Sequence, residues 1–379
     1  MALGDAFLLP LVSLQWALAA QQAGEQAVLK TSEHHQQDRR LIQLSENDPG
    51  TWLTEYEILT LVQQRTPFMD VTDHPPSVGV KQLIIADKVP AETSYHEEVQ
   101  RFIDDLDTSN MEENLETFTS FHNRYYKSSW GARSCAWLLD RIKQIAEPAN
   151  DRVTVEPFHH KWDQFSIIAR FNGTNPDLDN EVVIVSAHQD SVNMWLPDFG
   201  RSPGADDDGS GTVTILEAFR SLVDNGFEPE RSVEFHWYSA EEGGLLGSQD
   251  VAKAYNDAGK EIVAMVQNDM TGYVGANGEV FGIATDYVNK KVTDFIKKLV
   301  ESYAEIPYVE TECGYACSDH ASWRKFGYPS SFVMESAFDD SNHYIHTWSD
   351  TIDKLSFDHM KEFAKVDIGF AVELSHQRK

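Results

Sequence analysis

From about residue 92 onward, the apolar positions of this chain fall into two alternating rhythms. Residues 99–106, 115–126 and 129–145 place apolar side chains at helical spacing, which predicts helices with one buried face. Residues 153–158, 165–171 and 182–187 are short apolar or alternating runs and predict strands. Thereafter the two types interleave: helix 212–222, strand 233–239, helix 245–255, strand 262–267. Strand 280–284, helix 288–303, strand 331–334 and a final helix, 357–374, complete the series. Alternation of this kind predicts an α/β fold, a three-layer α/β/α sandwich around a mixed, largely parallel central sheet.

The first ninety residues have a different pattern. Residues 6–19 are apolar and end in Ala17-Leu18-Ala19, a small-x-small triplet, so residues 1–19 are expected to be an export signal, too short to span a membrane comfortably. Residues 21–43 are polar and rich in glutamine and charge. A turn at Glu46-Asn47-Asp48-Pro49-Gly50 follows. Residues 52–63 regain helical spacing, with Thr54 and Glu57 placed as a capping box. Asp73-His74-Pro75-Pro76 breaks that pattern. A weakly cored stretch behind a signal reads as a propeptide over 20–88, leaving 89–379 as the catalytic domain; the alternative is a flexible extension.

Composition narrows the field. Among 379 residues, 41% hydrophobic content and nine tryptophans indicate a globular chain with a large core. A formal charge of −30 argues against nucleic acid and anionic membranes as partners, since both would be repelled. No strong apolar seam is visible, so a monomer is expected. Of the three cysteines, Cys135 lies in an apolar helical pattern and reads as a small buried hydrophobe. Cys313 and Cys317 are close enough to close a small disulfide, or to remain two free thiols. Asn172-Gly173-Thr174 is an N-glycosylation sequon, consistent with a secreted, extracellular protein.

Ionisable residues gather where the predicted strands end. His188-Gln189-Asp190, Glu241-Glu242-Gly243-Gly244 and Asn268-Asp269-Met270 each follow an apolar run, and in open α/β sheets ligands bind at the carboxyl edge of the strands. Between them lies Pro203-Gly204-Ala205-Asp206-Asp207-Asp208-Gly209-Ser210-Gly211. Three adjacent aspartates repel one another unless a cation sits among them, although an acidic Gly/Ser loop is also an ordinary solvated turn. Calcium loops of the EF-hand type alternate their acids, and this one does not. Asp207 is placed to bridge two cations, one oxygen to each. His188 and Asp190, two apart on extended chain, face the same way, so one can bind metal while the other orients it. Adjacent Glu241 and Glu242 diverge, one toward metal and one toward a water it could deprotonate. With Asp269 and His346 added, the ligands are two His, two Asp and one Glu. That set, free of thiolate, fits a catalytic zinc pair, with manganese or cobalt as alternatives. His-Glu-x-x-His, Gly-x-Ser-x-Gly and Walker motifs are absent, so serine hydrolysis through Ser210 is not expected.

These motifs resemble those of the secreted co-catalytic zinc aminopeptidases, the fungal leucine aminopeptidases and their vibrio-type bacterial relatives. The resemblance covers about residues 93–376. It rests on Phe121-His122-Asn123-Arg124-Tyr125-Tyr126, Ala187-His188-Gln189-Asp190-Ser191, the 203–211 loop, Ser239-Ala240-Glu241-Glu242-Gly243, Asn268-Asp269-Met270, Cys313-Gly314-Tyr315-Ala316-Cys317-Ser318-Asp319-His320 and Ile345-His346-Thr347. Phe68-Met69-Asp70-Val71-Thr72 resembles the propeptides of the fungal enzymes. The resemblance implies two Zn2+ per chain, one held by His188 and Asp269, the other by Glu242 and His346, with Asp207 bridging. Glu241 would be the general base, Asp190 would orient His188, and Tyr315 would support the carbonyl oxygen. It also implies a Cys313–Cys317 disulfide and an apolar pocket drawing on Met270, Tyr315, Cys317, Phe338 and Ile345. The substrate would be a peptide with a free N-terminus, leucine or another large apolar residue first, and the enzyme would be made as a proenzyme. Ser341 stands where some bacterial relatives carry an aromatic, which leaves the choice among leucine, methionine and phenylalanine open. Two other readings use the same fold: a glutaminyl cyclase-like one-zinc transferase and a non-catalytic binding module. Retention of every ligand and of Glu241 argues against both.

Overall fold

A computed structural model describes residues 39–75 and 86–376. The expected signal at 1–19, and the 20–38 and 76–85 portions of the expected propeptide, lie outside the described residues. In chain order the elements are β1 (Arg39–Gln43), β2 (Thr51–Thr54), α1 (Glu55–Gln63), β3 (Met69–Asp70), α2 (His96–Ile103), α3 (Thr108–Ser120), α4 (Ser129–Ala146), β4 (Val153–Phe158), β5 (Ser166–Phe171), β6 (Glu181–His188), α5 (Gly211–Asp224), β7 (Ser232–Tyr238), α6 (Leu246–Asp257), β8 (Glu261–Asn268), β9 (Phe281–Ala284), α7 (Lys290–Tyr303), β10 (Tyr308–Thr311), α8 (His320–Lys325), β11 (Ser330–Met334) and α9 (Phe357–Ser375).

Eight strands form one mixed sheet in the order β10-β9-β11-β8-β6-β7-β5-β4. Its centre, β11-β8-β6-β7, is parallel, while β4/β5, β5/β7 and β9/β11 pair antiparallel. β6 is buried along its whole length, and its side chains divide by the two-residue period of a strand. Val183, Val185 and Ala187 join the main core with α2, α3, α4, α5, α7 and α9; Val182 and Ile184 face α6 and α8. Both faces are therefore covered, as a parallel sheet requires. The architecture is the three-layer sandwich that the alternation predicted. No described helix is long and apolar enough to cross a membrane.

Several boundaries differ from expectation. The helix expected over 115–126 runs instead from Thr108 to Ser120, capped by the Asp107 side chain on the Ser109 N–H. Beyond Ser120 the apolar periodicity continues, but Tyr125 and Tyr126 are buried against Val192 and Ala240 in a separate cluster, so the chain turns away. Trp52 lies in β2, and α1 starts only at Glu55, with the Thr54–Glu57 capping box in place. β10 and α8 had no expected counterpart.

Residues 39–75 form more regular structure than their composition indicates. β2-β1-β3 form a small antiparallel sheet around Ile42, Ile58 and Phe68. Met69 and Val71 pack with Leu245, Ala316 and Ala321 of the large domain, and the Asp70 N–H donates to the Gly244 carbonyl at 3.1 Å. Ala86 and Val89 already belong to the main core.

Candidate active site

The carboxyl ends of the central strands deliver the predicted ligands to one place. His188 closes β6, Asp269 follows β8, and Glu241 and Glu242 follow β7. His346 comes from the loop before α9. Ala240, Met270, Ala316 and His346, all at this edge, adopt left-handed backbone at φ 60°, 59°, 53° and 59°. Such conformations cost a non-glycine residue about 1 kcal/mol or more and persist only where the surroundings impose them, commonly at functional sites.

The triple aspartate resolves into two structural residues and one that faces the cavity. Asp206 accepts the Gly272 N–H at 3.1 Å and the Asn342 amide at 2.9 Å. Asp208 accepts the N–H groups of His188, Gly211 and Met270 at 3.0, 2.9 and 3.2 Å. Asp207 instead directs Oδ1 to His188 Nε2 at 3.2 Å and Oδ2 to His346 Nε2 at 3.0 Å. Asp269 Oδ1 lies 3.5 Å from the same His188 nitrogen, and Glu242 Oε2 lies 3.0 Å from the same His346 nitrogen. The five expected ligands thus form two clusters that share Asp207. Asp208 also stands within 4.8 Å of the His188 and Asp269 ligand atoms, but its oxygens are occupied by backbone donors.

Surrounding groups aim these side chains. Ser318 Oγ donates to Asp269 Oδ2 at 2.6 Å, which leaves Oδ1 toward His188. The Val192 N–H donates to Glu242 Oε1 at 3.1 Å, which leaves Oε2 toward His346. Asp190 Oδ1 sits 3.4 Å from His188 Nδ1, a long approach. Its shorter contacts are with the N–H groups of Glu241 and Glu242, at 3.0 and 3.2 Å, so it also fixes the glutamate turn. Sequence reasoning did not find the Val192 contact or this second role, because backbone donors leave no trace in residue identity.

Charge in this pocket is heavily frustrated. Burial pushes Glu241 well above the usual carboxylate range, helped by Asp319, Asp269 and Glu242 and opposed by His188. Burial likewise lifts Glu242 to about 7, with Asp207 adding and His346 opposing. Burial works against protonation of His188 and His346, yet the neighbouring carboxylates hold both imidazoles well above their ordinary value. Asp207 is held low against its burial by the same two imidazoles. Both ring nitrogens of His188, and Nδ1 of His346, are buried without a hydrogen-bond partner. Convergent imidazole and carboxylate atoms of this kind suit divalent cations, which would supply the charge that the acids lack.

A cleft of about 170 Å3 opens over the clusters, lined by Asp207, Glu241, Glu242, Asp269 and His346. Four of the five expected pocket residues, Met270, Cys317, Phe338 and Ile345, form its apolar wall with Ser341. Cys313 and Cys317 are joined as a disulfide, while Cys135 is buried and free. Tyr315 is not on that wall. Its hydroxyl donates to Gln43 at 2.6 Å, and Val62, Arg65, Thr66, Pro67 and Phe68 of the N-terminal segment complete the lining.

Comparison with known proteins gives the same direction. The chain is 48% identical over 350 residues to leucine aminopeptidase 1 of Colletotrichum graminicola, covering 89% of this chain and 86% of the relative. It is 45% identical to leucine aminopeptidase 1 of Pyrenophora teres f. teres over 98% of both chains. Among solved structures, the LapA aminopeptidase of Legionella pneumophila superposes with a TM-score of 0.78 at 29% identity, covering 90% of this chain and 95% of that one. The family model for peptidase family M28 matches residues 166–371, a span that holds all five clustered ligands, and the chain belongs to that family.

Proposed function

We propose that this protein is a zinc-dependent aminopeptidase that removes leucine or another large apolar residue from the N-terminus of peptides. The observation that carries the reading is Asp207, whose two oxygens face two different imidazoles at 3.2 and 3.0 Å. A carboxylate so placed can bridge two cations, with His188 and Asp269 holding one and Glu242 and His346 the other. Two zinc ions, when bound, would acidify a shared water and polarise the scissile carbonyl. Glu241 lines the cleft beside these ligands without belonging to either cluster. It takes the proton from the attacking water and passes it to the leaving amine, and its burial raises its basicity above that of an ordinary carboxylate. Met270, Cys317, Phe338 and Ile345 receive the apolar side chain and exclude water from it. Tyr315 is assigned the carbonyl oxygen, a role open to its hydroxyl only once Gln43 has moved away.

The same reading makes the protein a secreted proenzyme acting as a monomer, with residues 1–19 as signal, 20–88 as propeptide and Asn172 as a glycosylation acceptor. Asn172 lies half-buried just past β5, its amide donating to the Asp151 carbonyl at 3.0 Å. Latency is supported by the path of the N-terminal segment. Arg65 donates to the His343 carbonyl at 2.9 Å and Gln63 to the Met194 carbonyl at 3.3 Å, so α1 and its exit cross the mouth of the cleft. A peptide N-terminus must displace them to reach the acids. The test is hydrolysis of leucine 4-nitroanilide, and of free against N-acetylated peptides, by processed protein before and after chelation. Processed, zinc-loaded protein that cleaves none of these would sink the proposal; a stoichiometry of one zinc per chain would favour the one-metal transferase.

A further inference from the structure

Arg124 carries no part of the proposed chemistry, yet it is fully buried beside the loops that carry the ligands. Its guanidinium donates to the carbonyls of Gln189 and Gly204, both at 2.8 Å, and to that of Pro203. It thereby ties the end of β6 to the strand of chain that enters the triple aspartate. Asp350 grips the same loop from the other side. Its two oxygens accept the N–H groups of Asp206 and Asp207 at 3.0 and 3.1 Å, and its carbonyl accepts the Ala205 N–H at 3.3 Å. Asp350 is itself carried by the turn that follows His346, where its N–H reaches the Thr347 carbonyl at 3.5 Å.

The two halves of the ligand set are supported differently. His188 ends β6 and Asp269 follows β8, and these central strands hydrogen-bond to each other along their length. Glu242 and His346 stand on loops, and His346 has left-handed backbone. A loop-borne ligand keeps its place only if something outside its own backbone holds it. We propose that Asp350 is a positioning residue that sets the spacing between Asp207 and His346, with Arg124 fixing the opposite flank of the aspartate loop. It joins the backbone of the first to the turn that carries the second, and so preorganises the Glu242–His346–Asp207 cluster. This rests on the two-cation reading above.

Asp350→Asn tests it in the full chain. Asparagine keeps the size but offers one acceptor oxygen to two N–H groups, and turns an amide toward the other. Zinc is titrated into metal-free protein against a chromophoric chelator, thermal melting is followed, and the visible spectrum of the cobalt-substituted protein is recorded. Wild type is expected to bind two ions. The variant is expected to keep one at wild-type affinity and to bind the second about 10- to 100-fold more weakly, as loss of a ligand's supporting partner does. Its cobalt spectrum should change chiefly in the contribution of the second ion, since Asp207 also faces His188. Two ions at wild-type affinity would overturn the positioning role while leaving the two-cation reading intact. Parallel weakening of both ions with a lowered melting temperature would also overturn it, as a general structural lesion. If Asp350→Asn does not fold, Asp350→Glu is titrated instead. It keeps both acceptors on a longer stem, and the same selective weakening is expected; unaltered binding of both ions would overturn the proposal. A wild-type chain that binds a single ion would remove the reading beneath it.

Discussion

Arg40 is the point at which the N-terminal segment is most exposed to a single change. Its Nε meets Asp70 Oδ2 at 2.5 Å, with the two side chains 15% and 4% accessible, and its guanidinium also donates to the Gly243 carbonyl beside the Glu241-Glu242 turn. Replacing Arg40 with Met keeps most of the apolar stem but strips Asp70 Oδ2 of its cation. Removing one partner of a buried ion pair costs about 3–5 kcal/mol. Both partners lie in the segment, so this cost acts on docking because Asp70 is buried against Gly244 of the large domain and Arg40 also gives up the Gly243 carbonyl. With Arg40 in some contact with water, about 2–4 kcal/mol is the upper figure here. At about 1.4 kcal/mol per tenfold, the population in which the segment has lifted off the cleft rises roughly 30- to 700-fold. The assay is leucine 4-nitroanilide hydrolysis by the unprocessed full chain, expressed as a fraction of the rate after the segment is removed. That fraction should rise by the stated factor until it saturates. Hydrogen exchange over residues 39–75 should lose protection in step. Arg40→Met with Asp70→Asn leaves no charge unpaired and should regain part of the latency. A single variant as latent and as protected as wild type would refute the anchoring role and the energetic argument behind it.

Glu241→Gln is expected to bind metal as wild type does while kcat falls by about 10²- to 10⁴-fold, the usual worth of a general base; near-normal turnover would show that another group carries the proton. Phe338→Ala opens the apolar wall next to Met270 and Ile345. It should shift the leucine-to-alanine ratio of kcat/KM downward by about 10-fold or more, measured on a panel of aminoacyl 4-nitroanilides. Asp250 accepts from His74 of the N-terminal segment at 2.6 Å and from His160 at 2.8 Å. Burial opposes its ionisation, but the two imidazoles hold its carboxyl down at about 2. A depressed folded-state value gives stability that is present above the unfolded value, about 4, and lost as pH falls from there toward 2. Asp250→Asn should therefore unfold with a flatter dependence on pH across that window, read as the urea midpoint at successive pH values. An unchanged slope would place the acid sensitivity elsewhere.

Much of the scaffold was legible because its signals are local. The runs that became β6, β7 and β8 and the helical spacing of α4, α5 and α9 announce themselves through which side chains must leave water. The capping box at Thr54 and Glu57 is likewise settled within four residues. Three of the five candidate ligands, His188, Glu242 and Asp269, were legible for a related reason: ionisable residues at or just past the ends of buried strands have no packing purpose. Less visible was the end of α3, where periodicity continued through Tyr125 and Tyr126 although a different cluster buried them.

Residue order alone decided the layered α/β plan and the inventory of acids and imidazoles at the strand ends, since hydrophobic period and residue type act over a few positions. Only the folded chain decided which aspartate of three faces the cavity, that Asp190 and Asp350 hold backbone N–H groups far away in sequence, and that Gln43 takes the Tyr315 hydroxyl. Those outcomes depend on hydrogen-bond partners brought together by sheet order. Every residue has the same N–H to offer, so no pattern of side chains along the chain records where it will point.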